Sequence, residues 1–384
     1  MQYRLLINNN DFYGDLVLIN SVSITYGRTD ITQQPNPATF SASLAGSADE
    51  FTNEIKLNRL ITFQVFDDAS SMWISLFNGR ISDVTASVDA WGGGDGTLQY
   101  TVTALGYLAE FNRKTVGASG YVKDDECTRM TDILFDVGGA LQIDYSTPTG
   151  SYELAAISAG DYDALELLRS TANSTMGVLI DTPNDWDAYN ALTYTTYLDR
   201  SSLGTIALTV DDVIASGLNI HKSLNDIVST AWVTYGSTAS SQSTKYTQST
   251  IYSASGERAT YLHNKSDADS IAQILLASRN NELYKLDNIQ VNLSTIDDAG
   301  LLASLYGIRN GQQLTITGLP FPDLTNFQGF VEGWTWNINK NGTTLNIAVS
   351  SYGQNYPYTL WNNLSATDTW NTIYTATTTW EDVI

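Results

Sequence analysis

A strand pattern opens at Leu60-Ile61-Thr62-Phe63-Gln64-Val65, continues at Phe77-Asn78-Gly79-Arg80-Ile81 and closes with Leu98-Gln99-Tyr100-Thr101-Val102 before Gly106. Apolar and polar residues alternate in these stretches, and β-branched and aromatic residues are frequent, which predicts β-strands. The run Gly92-Gly93-Gly94-Asp95-Gly96 predicts a hairpin tip, because glycine adopts the positive φ angles of tight turns. The region therefore reads as a small β-barrel or sandwich.

The same order of stretches occurs a second time. It consists of Gln313-Leu314-Thr315-Ile316-Thr317, then Phe327-Gln328-Gly329-Phe330-Val331, then Leu345-Asn346-Ile347-Ala348-Val349 before Gly353. The offsets are 253 (Ile61 to Leu314), 250 (Gly79 to Gly329) and 247 (Gly106 to Gly353). Either all short strands look alike, or the chain holds two copies of one β-module. We favour the two copies.

Between the copies the hydrophobic period becomes helical. Helices are predicted over Asp124–Gly138 and Asp161–Met176, followed by short strands at Val178–Asp181 and Leu192–Leu198. The acidic run Asp124-Asp125-Glu126 stands at a helix start, where free backbone N–H groups favour negative charge. Capping therefore explains it better than general acid/base catalysis, and Asp161 and Asp163 open the second helix in the same way.

The predicted fold class is mainly β with an α+β insertion. Two related β-barrel modules flank a smaller α+β domain, and an extended tail follows. The predicted parts are residues 1–114, 115–205, 206–355 with one helix near Asp267–Asn280, and 356–384.

The charge balance excludes one class of function. The 384 residues carry 41 acidic and 19 basic side chains, a formal charge of −22. Proteins that hold nucleic acid through its phosphates need clustered Lys and Arg, so ordinary nucleic-acid binding is not expected. Cys127 is the only cysteine, which rules out an intrachain disulfide. We expect neither a signal peptide nor a membrane segment.

The sequence offers little catalytic chemistry. His221 and His263 have no metal-binding spacing, and no nucleophile elbow occurs, so we expect no catalytic residues, no cofactor, no metal and no enzyme. Asp181, Asp185 and Asp187 around Trp186 suggest calcium only weakly, because the glycine and regular spacing of an EF-hand are missing.

The tail repeats a tryptophan followed by two polar residues and an aliphatic one, at Trp361, Trp370 and Trp380. Segments this short cannot bury a tryptophan alone, so they must pack on something else. Two interpretations stay open: docking onto the protein's own barrel, or a hook for a neighbouring protein.

Several pieces of the chain resemble minor tail proteins of long-tailed phages, in particular the baseplate or tail-tip hub family. They are Tyr26-Gly27-Arg28-Thr29-Asp30-Ile31 with Gln34-Pro35, Leu76–Val84, Ala104–Ala109, Asp226–Val228 with Tyr235-Gly236, Gly318-Leu319-Pro320 and Val331-Glu332-Gly333-Trp334-Thr335. Each piece is weak alone, but together they follow the family's order over nearly the whole chain.

The resemblance implies a homotrimer in which three duplicated chains present six similar modules to a hexameric tail tube. It also implies partners: distal tail or tail tube proteins, a tape measure protein, and tail fibre or tip proteins. The location would be the virion tail tip after assembly in the host cytoplasm, with DNA passing through without specific binding. Candidate subunit or tube contacts are Phe77, Gly79, Arg80, Phe327 and Gly329; partner-docking candidates are Trp361, Trp370 and Trp380.

Two other classes of function stand as alternatives to the tail hub. A tryptophan- and tyrosine-rich β-protein also suits a peripheral receptor-binding protein that recognises host-surface glycans. A tail-associated hydrolase would need two carboxyl groups at fixed separation in a cleft, and no segment resembles a lysozyme-type domain.

Overall fold

The computed structural model describes residues 2–11, 18–46, 55–88, 98–137, 152–183, 192–197, 200, 203–215, 218–221, 227–236, 241–247, 255–280, 285–287, 289–322 and 324–351. These residues form a mainly β protein with helical insertions, which confirms the predicted fold class.

The strands are β1 (Tyr3–Ile7), β2 (Asn10–Asp11), β3 (Leu18–Gly27), β4 (Thr39–Gly46), β5 (Leu60–Asp67), β6 (Met72–Val88), β7 (Leu98–Leu105), β8 (Thr115–Val116), β9 (Asp124–Asp125), β10 (Glu153–Leu154), β11 (Tyr162–Asp163), β12 (Val178–Asp181), β13 (Leu192–Thr195), β14 (Thr205–Thr209), β15 (Asn219–His221), β16 (Thr230–Tyr235), β17 (Gln242–Thr247), β18 (Ser255–Arg258), β19 (Lys285–Asp287), β20 (Ile289–Asn292), β21 (Gln313–Phe321), β22 (Leu324–Asn339) and β23 (Gly342–Ser351). The α-helices are α1 (Glu126–Asp136), α2 (Ala164–Ser174), α3 (Lys265–Asn280) and α4 (Ala299–Tyr306).

One large sheet contains both strand series. Its strands run in the order β14-β21-β22-β3-β4-β7-β6-β5-β1-β2, and β23 pairs with β22 and β20. Its described pairs are antiparallel, apart from the parallel pair of β14 and β21. The sheet curls back on itself, because the Tyr3 hydroxyl in β1 hydrogen-bonds to Thr343 in β23, although these strands are far apart in the strand order.

The two series share their register. In the first, Ile61 lies opposite Gly79; in the second, Leu314 lies opposite Gly329. Each long second strand then carries a bulge at the equivalent place, between Ile81 and Asp83 in β6 and between Val331 and Gly333 in β22. The strand pairing therefore agrees with the repeat that the sequence predicts.

The closing strand shows a difference from the sequence alignment. Leu105 lies opposite Arg80, and Ser350 lies opposite Phe330, so Leu105 corresponds to Ser350. The alignment of Gly106 with Gly353 is therefore wrong by two residues. A shift of two keeps every side chain on the same face of a strand, so the alternating pattern could not detect it.

The repeat extends to five strands. The first copy has the order β3-β4-β7-β6-β5. In the second copy, β15 corresponds to β3, the consecutive strands β19 and β20 together correspond to β4, and β23-β22-β21 correspond to β7-β6-β5. Residues 227–280, with β16 to β18 and α3, lie between β15 and β19. Residues 227–280 therefore form a small unit, the interrupting unit, that is inserted into the second copy. The domain boundaries drawn from the sequence remain predictions.

The copies are joined directly. β22 of the second copy pairs antiparallel with β3 of the first, with Trp334 opposite Tyr26 and Trp336 opposite Ile24. The rings of Tyr26 and Trp334 stack with centroids 5.1 Å apart. Buried residues of both copies belong to one continuous hydrophobic core, so the sheet acts as one packed body.

Two smaller cores lie beside the sheet. The first packs α1 and α2 around Phe111, Met130 and Leu168. The second core joins the interrupting unit (residues 227–280) to the middle segment (residues 115–205), since Val233 and Ile271 pack with Met176. Together they form an α+β body attached to the sheet.

The helices agree largely with prediction. The side chains of Asp125 and Asp163 accept hydrogen bonds from the first turns of α1 and α2, as expected for N-caps. The prediction of a single helix after residue 206 is wrong, because α4 follows α3. None of the helices in the described ranges is long and apolar enough to cross a membrane.

Candidate functional site

The two copies meet at a tight backbone crossing. Gly27 at the end of β3 lies opposite Gly333, just past the bulge in β22. Gly27 has φ of +83°, and a Cβ there would lie 2.3 Å from the carbonyl oxygen of Glu332. A side chain at Gly27 would push the strands apart, so glycine is required on both counts.

The bulge places Glu332 inside the protein. Its side chain is 1% exposed, yet it is charged, because two arginines reach it from different parts of the chain. Arg28 Nε donates to Oε2 at 2.7 Å, and Arg200 Nη1 donates to Oε1 at 2.7 Å. Ser350 Oγ adds a hydrogen bond to Oε1 at 2.6 Å.

The two arginine contacts favour the ionised form of the Glu332 side chain. Burial alone would raise the pKa of Glu332, but the charges of Arg200 and Arg28 lower it to about 2. Burial lowers the pKa of Arg28 to about 10, and Arg200 adds to this while Glu332 opposes it. Two buried arginines thus share one carboxylate.

Further charged residues lie near Arg28. Asp30 lies near Arg28 and forms an ion pair with Arg279, whose Nη2 is 3.2 Å from Oδ1. Arg258 is 8% exposed; burial lowers its pKa, and the nearby charges of Arg28 and Arg279 lower it further. We call Arg28, Arg200, Arg258, Arg279, Glu332 and Asp30 the arginine cluster.

A separate buried carboxylate attaches the α+β body to the sheet. Asp181, at the end of β12, accepts hydrogen bonds from Ala38 N at 2.6 Å and from Leu108 N at 2.7 Å. Burial raises the pKa of Asp181 to about 7, although these N–H groups act in the opposite direction. Both oxygens are thus used inside the fold, while Asp185 and Asp187 of the weak calcium suggestion lie outside the described residues.

Four of the five predicted contact residues are buried within the fold. Phe77 and Phe327 are 0% and 4% exposed, and Gly79 and Gly329 are buried with them. Arg80 alone reaches the surface, with its side chain 36% exposed and its Nε 2.6 Å from Glu110.

The buried glycines allow close packing. A Cβ on Gly79 would lie 2.3 Å from the Leu105 oxygen and 2.5 Å from Phe77 Cζ. A Cβ on Gly329 would lie 2.3 Å from the oxygen of Ser350, opposite Phe330. The Phe-x-Gly pattern therefore lets the phenylalanine ring cover the strand backbone in both copies. Trp361, Trp370 and Trp380 lie outside the described residues.

The arginine cluster was not found from the sequence. Its segments, Tyr26-Gly27-Arg28 and Val331-Glu332-Gly333-Trp334, were noted only for their resemblance to tail proteins. The sequence signal for the cluster is Glu332, a single acidic residue within an apolar strand, because a buried carboxylate needs a cationic partner. In the described ranges no group of three or more His, Cys, Asp or Glu side chains is arranged to hold a metal ion.

The fold is similar to that of solved phage tail proteins. No family model matches the chain, and no curated protein matches it in sequence. Among solved structures, it is similar to the 43 kDa tail protein of prophage MuSo2 from Shewanella oneidensis, with TM-score 0.64 and 11% identity over 93% of this chain and 100% of that one. A tail protein from Neisseria meningitidis gives TM-score 0.62 and 10% identity over 93% and 99%.

A third similar structure is a component of the E. coli type VI secretion system, described as similar to the T4 bacteriophage tail proteins gp27 and gp5. It gives TM-score 0.56 and 12% identity over 92% of this chain and 78% of that one. At these identities the likeness is one of fold, and it confirms at that level the resemblance noted in the sequence.

Proposed function

We propose that this protein is a structural tail hub of a phage virion. It would act as a trimeric symmetry adaptor that joins the hexameric tail tube or distal tail ring to the tail tip. The observation that carries the proposal is the pair of strand sets with one order and one register in a single chain. Three such chains present six similar surfaces, which a trimer of single-copy chains cannot do.

The partners follow from this role. They are the distal tail or tail tube proteins, a tape measure protein and tail fibre or tip proteins, in a virion assembled in the host cytoplasm. The genome would leave through a channel that the trimer partly forms. A formal charge of −22 per chain supports passage without specific binding, because a channel wall rich in lysine would hold the phosphates. The chain would work by assembly and not by catalysis.

Oligomeric mass tests this proposal. Light scattering on the purified chain should give three times the 42.0 kDa of one chain, and images should show a ring with six similar lobes. A monomer at every concentration that also binds host polysaccharide would reject the hub and favour the peripheral glycan-binding protein.

Arg80 is the predicted contact residue that a mutation can test cleanly. Arg80→Glu should weaken the trimer, since it reverses the charge of the only accessible member of the set. Lys245→Glu, a charge reversal on the surface of β17, is the matched control and should leave the trimer mass unchanged. Equal trimer mass in both variants would remove Arg80 from the interface.

A further inference from the structure

A cleft opens beside the arginine cluster, where the α+β body faces the loop after β3. Its volume is about 410 Å³, and its lining includes Arg258 from β18, Arg279 from the end of α3, and Ser170 and Asn173 from α2. Thr32 closes it from the sheet side. Guanidinium, hydroxyl and amide groups therefore surround a space large enough for a small ligand.

In its described hydrogen bonds, Arg258 has only neutral partners. Its Nη1 donates to the carbonyl oxygen of Asn173 at 3.0 Å, and its Nη2 donates to the carbonyl oxygen of Thr32 at 3.3 Å. Arg279 has a carboxylate, Asp30, but at 3.2 and 3.4 Å and shared with the backbone N–H and hydroxyl of Thr32. One carboxylate, Asp30, thus acts on both arginines that line the cleft, through hydrogen bonds to Arg279 and through its charge on Arg258.

The wider charge count points the same way. The arginine cluster holds four arginines and two carboxylates. Glu257 also lines the cleft, but it precedes Arg258 in β18, where successive side chains point to opposite faces. Within the arginine cluster, positive charge therefore exceeds negative charge, in a protein whose overall charge is strongly negative.

Burying a cation whose hydrogen-bond partners are neutral is costly, and an anion in the cleft would lower that cost. Burial is the main cause that lowers the pKa of Arg258 to about 10; the charges of Arg28 and Arg279 add to it, and the charge of Asp30 opposes it. An arginine pair with neighbouring hydroxyl and amide groups is a common arrangement for oxyanions, because each guanidinium offers several N–H donors.

We propose that this cleft binds a small oxyanion, a phosphate or carboxylate group, between Arg258 and Arg279. The site would accept the free anion or the same group carried on a larger molecule. It is independent of the trimer proposal, because it requires only described residues of one chain.

Calorimetric titration of the full-length protein at low ionic strength tests the site. Inorganic phosphate, glycerol phosphate and citrate are the probes, and at least one of them should bind. Binding of phosphate and glycerol phosphate but not citrate would support a phosphate site open to substituted ligands; binding of citrate alone would support a carboxylate site. No binding by any of the three would overturn the proposal.

Variants separate binding from folding. Arg279→Gln should weaken binding at least about tenfold, since a charge-assisted hydrogen bond is lost. Asp30→Asn should strengthen it, because the carboxylate that competes for Arg279 loses its charge while its oxygen still accepts from Thr32. The matched control is Lys245→Gln, which removes a cation that lies over the Trp232 ring, outside the cleft. Equal affinity in all three variants would overturn the proposal, and thermal unfolding of each confirms that it is folded.

Discussion

Glu332 is the residue on which the junction of the two copies depends. The backbone around it is fixed as firmly as its side chain, because its carbonyl oxygen accepts from Arg28 N at 2.9 Å and from Asn310 Nδ2 at 2.7 Å. The bulge turns the carboxylate inward, and Arg28 and Arg200 meet it there. A carboxylate in this position is stable only with its partners, so each member depends on the others.

Glu332→Gln should destabilise the protein by about 3–5 kcal/mol, because it leaves two buried arginines without their counter-ion. Urea unfolding at neutral pH measures the change. Ser350→Ala removes one hydrogen bond to the same carboxylate and should cost less, about 1.5–3 kcal/mol. Two equal losses would contradict a dominant role for the ion pairs.

The same residue gives a pH dependence. The pKa of Glu332 is lowered to about 2 from its usual 4.5, so its stabilisation is complete above about pH 4.5 and is lost as the pH falls toward 2. The difference in unfolding free energy between the natural protein and Glu332→Gln should therefore shrink through this range. A constant difference down to about pH 2 would contradict the lowered pKa.

For single residues, the sequence predicts contacts between positions that are close together in the chain. Asp125 and Asp163 were identified as helix caps because a cap acts within three residues of itself. The partners of Glu332 lie 304 and 132 positions away, and no local pattern records that distance. The burial of Phe77 and Phe327 was also missed, since a strand pattern does not say which face meets the core.

The long hairpin strand is the element that defines each copy. In β6 and β22 alike, a phenylalanine covers a glycine two residues later, and a bulge follows. The glycine is required by the close approach of the neighbouring strand and not by its φ angle. This explains why the short pattern Phe-x-Gly could mark both copies in the sequence.

Gly79→Ala and Gly329→Ala should each destabilise the protein by about 1–3 kcal/mol, because the new methyl group would lie 2.3 Å from a backbone oxygen. Thermal unfolding of the two variants should give similar shifts. Gly256→Ala is the control, since its Cβ would meet Val228 at an ordinary 3.5 Å. A loss in Gly256→Ala as large as in the other two would argue against this packing role.

Element prediction succeeded where a period was visible. β5, β6, β21 and β22 were located from alternation. α4 was missed because Ala299–Tyr306 is apolar on nearly every side and contains Gly300, which leaves no helical period to detect. β1 was missed because Tyr3–Ile7 is short and its apolar residues are consecutive.

At the scale of the whole molecule, one sheet carries both copies, and the α+β body is attached through Asp181 and the arginine cluster. The sequence predicted the two modules and the insertion between them. It did not predict that residues 227–280 pack on the middle segment, because the contact of Val233 and Ile271 with Met176 joins distant parts of the chain. Such contacts depend on tertiary packing alone.

Removal of residues 356–384 separates the two interpretations of the tryptophan tail. If the tail is a hook, the shortened chain should keep its trimer mass and its thermal stability but bind neighbouring tail proteins less. Pull-down with those proteins and light scattering measure the two effects. Loss of stability would favour docking onto the protein's own barrel, and loss of the trimer would refute the hook.

The pairing of β3 with β22 has a consequence for synthesis. Tyr26 and Trp334 are neighbours in the sheet, but at roughly 5–20 residues per second a ribosome needs about 15–60 s to pass from one to the other. During that time the edge of β3 has no partner, and an unpaired edge is a template for association with other chains. When several ribosomes translate the same messenger RNA, their nascent chains can therefore pair wrongly through this edge. A chaperone that covers Tyr26 and its neighbours would prevent this association.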